Sequence, residues 1–205
     1  LAGYEADDII GTIAKVKARE GHVVYMVTPD KDYGQLVEPN IYMYKPARMG
    51  NDIEILGVPE ICAKWEIDDP LKVIDILGMW GDASDNIPGI PGIGEKTAKK
   101  LIQQYGSMEN MIAHSHELKG KMKEKVEAFV DQANISKMLA TIILDVPIEV
   151  SDEDLLISEP DKEKLAALFT ELEFRSMGRR ILGADFSVNQ QIAPEIKKSI
   201  PAAPK

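Results

Sequence analysis

The chain has 205 residues, 44% of them hydrophobic, with a formal net charge of −10 and a single cysteine. That is enough apolar material for one real core with a small appendage. The longest apolar runs, such as Val23-Val24-Tyr25-Met26-Val27, are far too short to cross a bilayer, and the acidic balance excludes simple wrapping of nucleic acid by a basic surface.

Leu1-Ala2-Gly3-Tyr4 has no initiator methionine, so the chain is expected to begin inside a longer one. Glu5 to Arg19 follows with Ile9, Ile10, Ile13, Ala14 and Val16 at helical spacing, and Gly21 ends the helix. His22 to Thr28 is β-rich and bounded by glycine and proline, which predicts a buried strand. Asn40–Tyr44 and Ile53–Leu56 read as further strands, so the first part is an α/β layer with a parallel-type sheet. Helices are predicted over Val58–Trp65, with Pro59 in the first turn, and over Pro70–Trp80.

The middle of the chain is mostly short helices, at Thr97–Gln104, Met108–Ala113, Gly120–Phe129 and Ala133–Leu139. Thr141–Asp145 reads as a strand and Asp161–Leu172 as a helix. The division expected is a core over 1–80, a helical subdomain over 81–140, a return to the core over 141–184 and a linker over 185–205. From Ser187 the sequence lacks a periodic apolar face, which fits that linker.

Three acidic clusters stand at the ends of predicted elements. Glu5, Asp7 and Asp8 open the first helix, where acids also simply complement the macrodipole. Asp30 and Asp32 follow the first strand directly. α/β sheets commonly build sites there, although a turn and helix cap would use the same residues. Asp82 and Asp85 precede a Gly/Pro-rich stretch and could equally be turn residues with Asn86 and Pro88. Carboxylates with no competing His/Cys cluster suit Mg²⁺ or Mn²⁺, and two such ions can activate water and stabilise the leaving oxygen of a phosphodiester. His22, His114 and His116 lack zinc spacing. Cys62 is expected to be a small buried residue of a protein in the reducing cytoplasm.

Gly89-Ile90-Pro91-Gly92-Ile93-Gly94 lies between two helical patterns. Glycines there let a phosphate approach the backbone, and the following helix N-terminus adds N–H donors. Ile90 and Ile93 would pin the turn to the helices. Lys96, Lys99 and Lys100 against Glu95 make this segment locally basic. It reads as a helix–hairpin–helix, which grips a nucleic-acid backbone without reading bases.

The segments Gly3–Thr12, Thr28–Val37, Gly81–Gly89 and Leu139–Pro147 closely resemble the 5′-nuclease domains of bacterial DNA polymerase I, within the wider 5′→3′ exonuclease and flap endonuclease family. The resemblance extends over residues 1–184. It implies a PIN/flap-endonuclease-like α/β fold with a helix–hairpin–helix subdomain, and cleavage of phosphodiesters at 5′ ends and flaps in primer removal and DNA repair. By motif it assigns Glu5, Asp7, Asp8, Asp30, Asp32, Asp82 and Asp85 to metal, and Asp7, Asp8, Asp32 and Asp82 to catalysis. Gly92, Ile93, Gly94, Lys96 and Thr97 are assigned to DNA.

The implied cofactors are two Mg²⁺ or Mn²⁺ ions in the complete domain, with K⁺ at the hairpin. The implied partners are duplex and 5′-flap DNA, RNA primer strands and a polymerase domain in cis, with no membrane. The family's first strand, a central aspartate and a basic arch would precede Leu1, so the fragment by itself is expected to be inactive. The competing readings are a non-catalytic helix–hairpin–helix module, and more distantly a glycosylase, in which the acids would have no task. Convergence of the acids on one pocket separates nuclease from binding module.

Overall fold

The protein, seen in a computed structural model, is described for residues 1–47 and 52–188; the remainder of the expected linker, 189–205, lies outside the described residues. The chain forms two compact units, Leu1–Glu149 and Val150–Lys205.

In the first unit, helix α1 (Ala6–Arg19) starts where the Asp8 carboxylate turns back to accept the Glu5 N–H at 3.0 Å. Asp7 and Asp8 lie in its first turn and Lys17 and Arg19 in its last, both favourable to the macrodipole. Strand β1 (Val24–Val27) pairs parallel with β2 (Ile41–Lys45), which pairs antiparallel with β3 (Glu54–Leu56). The sheet is therefore mixed rather than purely parallel. β1 and β2 are joined through a 3₁₀ turn over Lys31–Leu36, and β3 lies beside β2 at the edge of the sheet.

Helices α2 (Val58–Trp65) and α3 (Lys72–Trp80) follow, then α4 (Glu95–Tyr105), α5 (Met108–Ala113), α6 (Lys121–Ala128) and α7 (Val130–Ala140). The core runs from the sheet into these helices: Leu36, Ile41, Met43, Ile61, Val73, Ile76, Leu77, Ile90, Ile102 and Met108 are all at most 1% exposed. Each such side chain contributes about 1.5–3 kcal/mol relative to exposure. α3 carries little exposed apolar surface because it sits centrally in this helical layer, and Lys137 of α7 reaches its buried Asp75 at 2.6 Å. Cys62 is half-buried rather than fully enclosed.

The predicted strand at Thr141–Asp145 does not form. The β-rich segment is irregular, and side chains instead of a strand take its backbone. Gln35 Oε1 accepts the Ile142 N–H at 3.0 Å, Asp8 Oδ1 the Ile143 N–H at 2.8 Å, and Thr12 Oγ1 the Val146 N–H at 3.3 Å. Its inward-facing N–H groups find partners without a ladder, and Ile142 and Val146 still reach the core.

In the second unit, α8 (Lys162–Glu171) is capped by Asp161, which accepts the Lys164 N–H at 3.0 Å. α9 (Arg175–Leu182) follows. Phe169 is buried against Phe174 and Phe186, with ring centroids 6.4 and 6.3 Å away.

Candidate metal centre and hairpin

The three acidic clusters meet. One cleft of about 140 Å³ is lined by Glu5, Asp7, Asp8, Asp30, Asp32 and Asp85, with Leu139–Ile142 closing one side. A second cleft shares Asp30 and Asp85 and adds Lys31, Asp82 and Ser84. All seven acids singled out in the sequence thus border two adjoining spaces. Several are held by local chemistry. Glu5 caps α1 rather than lying in its first turn. Asp7 accepts the Tyr33 hydroxyl at 2.8 Å. Asp30 is an Asx cap on the 3₁₀ turn, taking the Asp32 N–H at 3.1 Å. Asp82 accepts the Ser84 N–H at 2.8 Å, and a two-way backbone bridge between Asp82 and Ile87 closes the loop carrying Asp85.

The acids are not equally free. Asp8 is buried and both its oxygens receive backbone N–H groups, from Glu5 and Ile143, so it ties α1 to the 141–146 segment. Asp32 is the opposite case. It is 8% exposed, and its Oδ1 is buried with no hydrogen bond among the described residues. A buried carboxylate oxygen left this way is costly unless a cation completes it. Burial, with the charges of Asp30, Asp82 and Asp85 added, pushes its carboxyl up to about 6 against the pull of Lys31. Asp85 is raised too, by burial and by Asp82 and Asp30. Burial acts to raise Asp82 as well, but the bonds from Lys31 and the Ser84 N–H outweigh it and hold the group below its ordinary value.

Oxygens of Asp32, Asp82 and Asp85 lie within 4.8 Å of one another. An all-oxygen set of a few carboxylates with room for water fits a hard dication such as Mg²⁺ or Mn²⁺. Among the described residues, the Asp32 Oδ1 has no hydrogen bond and only the Lys31 ammonium, 3.6 Å away, as a positive neighbour, so it keeps capacity for a cation.

Sequence reasoning missed four contributors. Lys31 enters the cluster, pairing with Asp82 and lying 3.6 Å from Asp32. Tyr33 holds Asp7, and its hydroxyl is pushed up by burial and by that bond. Gln35 is 3% exposed and spends its whole amide on the site's frame, donating to Asp32 O and Ala140 O and accepting from Ile142. Lys125 of α6 places its ammonium against Gly92. The only available signals were Asp-Lys-Asp adjacency for Lys31 and proximity in sequence for Tyr33 and Gln35; Lys125 had none.

The hairpin forms as expected. Ile90 and Ile93 are 1% and 3% exposed, and Ile90 N–H reaches Met79 O at 2.7 Å. α7 supports the turn: Gly89 N–H donates to Ser136 Oγ at 3.0 Å, and Gln132 donates to Gly89 O at 2.7 Å. Gly89 is required twice over. Its φ is +61°, and a Cβ there would lie 2.5 Å from the Gly81 nitrogen. Gly92, Gly94 and Lys96 are exposed, Thr97 is half-exposed, and no side chain caps the N-terminus of α4. Ile93 can offer only backbone. Of the three lysines that make this segment locally basic, Lys99 is 8% exposed and turned to Lys64 O at 2.9 Å and Glu95 at 2.7 Å.

Two family models match in succession: the N-terminal resolvase-like domain of 5′-3′ exonuclease over residues 1–66, and its C-terminal SAM fold over residues 69–163. The chain belongs to the 5′-3′ exonuclease family. Among curated relatives, it is 43% identical over 177 residues to DNA polymerase I of Bacillus caldotenax, covering 86% of this chain and 20% of the relative. It is 42% identical over 192 residues to DNA polymerase I of Bacillus subtilis, covering 93% and 22%. The chain thus spans about a fifth of the length of these relatives. A solved structure of bacteriophage T5 flap endonuclease, a pseudo-enzyme-product complex with DNA and metal ions, matches with a TM-score of 0.60 at 22% identity, covering 68% of this chain and 50% of that one. That likeness establishes a flap-endonuclease-like fold with mixed α/β and helical parts.

Proposed function

We propose that this chain is the 5′→3′ exonuclease and flap endonuclease part of a DNA polymerase I, a metal-dependent phosphodiesterase acting on 5′ ends and flaps in primer removal and repair. The observation that carries this reading is the meeting of all seven acids on two adjoining clefts, with the Asp32 oxygen unsatisfied. Asp32, Asp82 and Asp85 would hold one ion; Asp7, with Glu5, Asp30 and Asp8 around it, would flank a second position. Bound there, such ions supply a nucleophilic water and neutralise charge at the scissile phosphate.

This chain's own residues do the rest. Tyr33 and Gln35 fix the acids, and Asp8 fixes the wall behind them. Asp7, Asp8, Asp32 and Asp82 are the proposed catalytic carboxylates. The hairpin backbone of Gly92, Ile93 and Gly94, exposed at the two glycines, with Lys96, Thr97 and Lys125, would bind duplex backbone without base readout, with K⁺ as a further hairpin ligand. The relatives, each a DNA polymerase I, support a polymerase domain in cis, and RNA primer strands are proposed as substrates with the primer-removal role. No helix among the described residues is long and apolar enough to cross a membrane.

The test is cleavage of a 5′-flap duplex in Mg²⁺ and in chelator, with this chain and with the chain extended as in its relatives. The expected result is Mg²⁺-dependent cleavage by the extended protein, lost in Asp82→Asn with duplex affinity kept. Flap binding with no cleavage under any metal would instead establish a binding module.

A further inference from the structure

Lys31 lies between two of the carboxylates proposed to hold an ion. Its ammonium bonds Asp82 Oδ2, lies 3.6 Å from Asp32 Oδ1, and sits 5.7 Å from the centre of the Trp80 ring. Asp32 and Asp82 are two of the three carboxylates whose oxygens come within 4.8 Å of one another. An ammonium and a dication compete for those oxygens, because like charges so close repel strongly. We infer that Lys31 is a built-in counter-cation: it holds the acids together in the metal-free protein and is displaced by the incoming divalent ion.

The inference rests on the metal-centre reading and adds to it a competitor for the site. The geometry gives the lysine both a reason to stay and a way out. Without a cation, Asp30, Asp32, Asp82 and Asp85 would repel, and Lys31 is the cation that reaches Asp32 and Asp82 among the described residues. Its side chain is 29% exposed and borders an open cleft of about 690 Å³ lined also by Trp80, Ser84 and Asn86. It can therefore swing outward without unpacking the core. Displacement would raise the Mg²⁺ concentration at which the centre fills. It would also leave a free ammonium beside the cleft.

Trp80 reports the movement, since the ammonium leaves its ring. The second tryptophan, Trp65, lies under Lys99 instead. The experiment is Mg²⁺ titration by calorimetry and by tryptophan emission, on the parent chain, Lys31→Met, Lys31→Arg and Trp80→Phe. Lys31→Gln serves if the methionine variant fails to fold, as judged by circular dichroism. The expected result is a Kd about tenfold lower for Lys31→Met, the factor that applies if the ammonium holds the acids in about nine molecules of ten. Lys31→Arg should stay near the parent. The parent's emission should change on adding Mg²⁺, and that change should vanish in Trp80→Phe. Equal Kd in parent and Lys31→Met would overturn the displacement and leave the metal centre standing. Tighter binding with no Trp80 change would show repulsion from a lysine that stays, which also overturns it. No Mg²⁺ binding by any variant would remove the metal centre itself, and this inference with it.

Discussion

The acid cleft and the hairpin are built on opposite principles, although both belong to Leu1–Glu149. The hairpin is consecutive, Gly89 to Gly94, and its interior is settled: two isoleucines are buried and its backbone is bonded to α3 and α7. The cleft is gathered from four separate segments and is not settled. It keeps a buried oxygen without a hydrogen bond, a carboxyl raised to about 6, and a lysine drawn in among the acids. A satisfied element costs little to hold and serves as a rigid grip. An unsatisfied one stores unfavourable electrostatics that a ligand can relieve.

That contrast is breakable by substitution. The largest effect should come from Asp32→Asn combined with Asp82→Asn, which leaves one carboxylate of the closest three. Mg²⁺ affinity measured by calorimetry should fall on the order of 10³-fold, and an unchanged isotherm would place the ion elsewhere. Ile90→Ala attacks the settled region. It should lower stability by about 2–5 kcal/mol in chemical denaturation, while Mg²⁺ affinity of the folded fraction holds; a loss below 1 kcal/mol would show that Ile90 does not pin the turn.

Asp32→Asn alone sharpens the comparison through pH. The folded protein raises this carboxyl from 3.8 to about 6, so it binds that proton more tightly folded than unfolded. The charged form therefore costs stability. The cost is absent below pH 3.8, grows as pH rises towards 6, and is complete above. In chelator, the variant should be more stable than the parent above pH 6 by about 1–2 kcal/mol, after allowance for solvent screening, and equal to it near pH 3.5. Equal stability at both would show that Asp32 is not under electrostatic load.

The smallest stability change should come from Gly94→Val. Its φ is −96° and a Cβ there meets nothing within 4 Å, so the melting temperature should move little. Duplex affinity should still fall several-fold, in a salt-dependent and sequence-independent way, because the side chain covers the backbone that meets phosphate. Gly92→Val should lose both, because its φ is +83° and Lys125 occupies the space. Full duplex affinity in Gly94→Val would take the hairpin out of DNA binding.

The chain by itself determined whatever depends on neighbours in sequence. Apolar period placed α1, α2, α3 and the short helices within a few residues. Glycine spacing with two buried isoleucines defined the hairpin, because turn geometry is a local demand. The acidic residues were visible as clusters for the same reason. What only the tertiary structure decided is how the clusters are used. Thr141–Asp145 has the composition of a strand, yet Gln35, Asp8 and Thr12 take the backbone of Ile142 and Ile143 and no ladder forms. Lys99 contributes to the locally basic segment but turns inward, while Lys125 reaches the hairpin from a helix some thirty residues on. Asp8 and Asp32 are the same residue type, and only packing makes one a tether and the other an unsatisfied charge. Burial and the orientation of partners from distant segments set a carboxylate's task, and neither is encoded in its immediate neighbours.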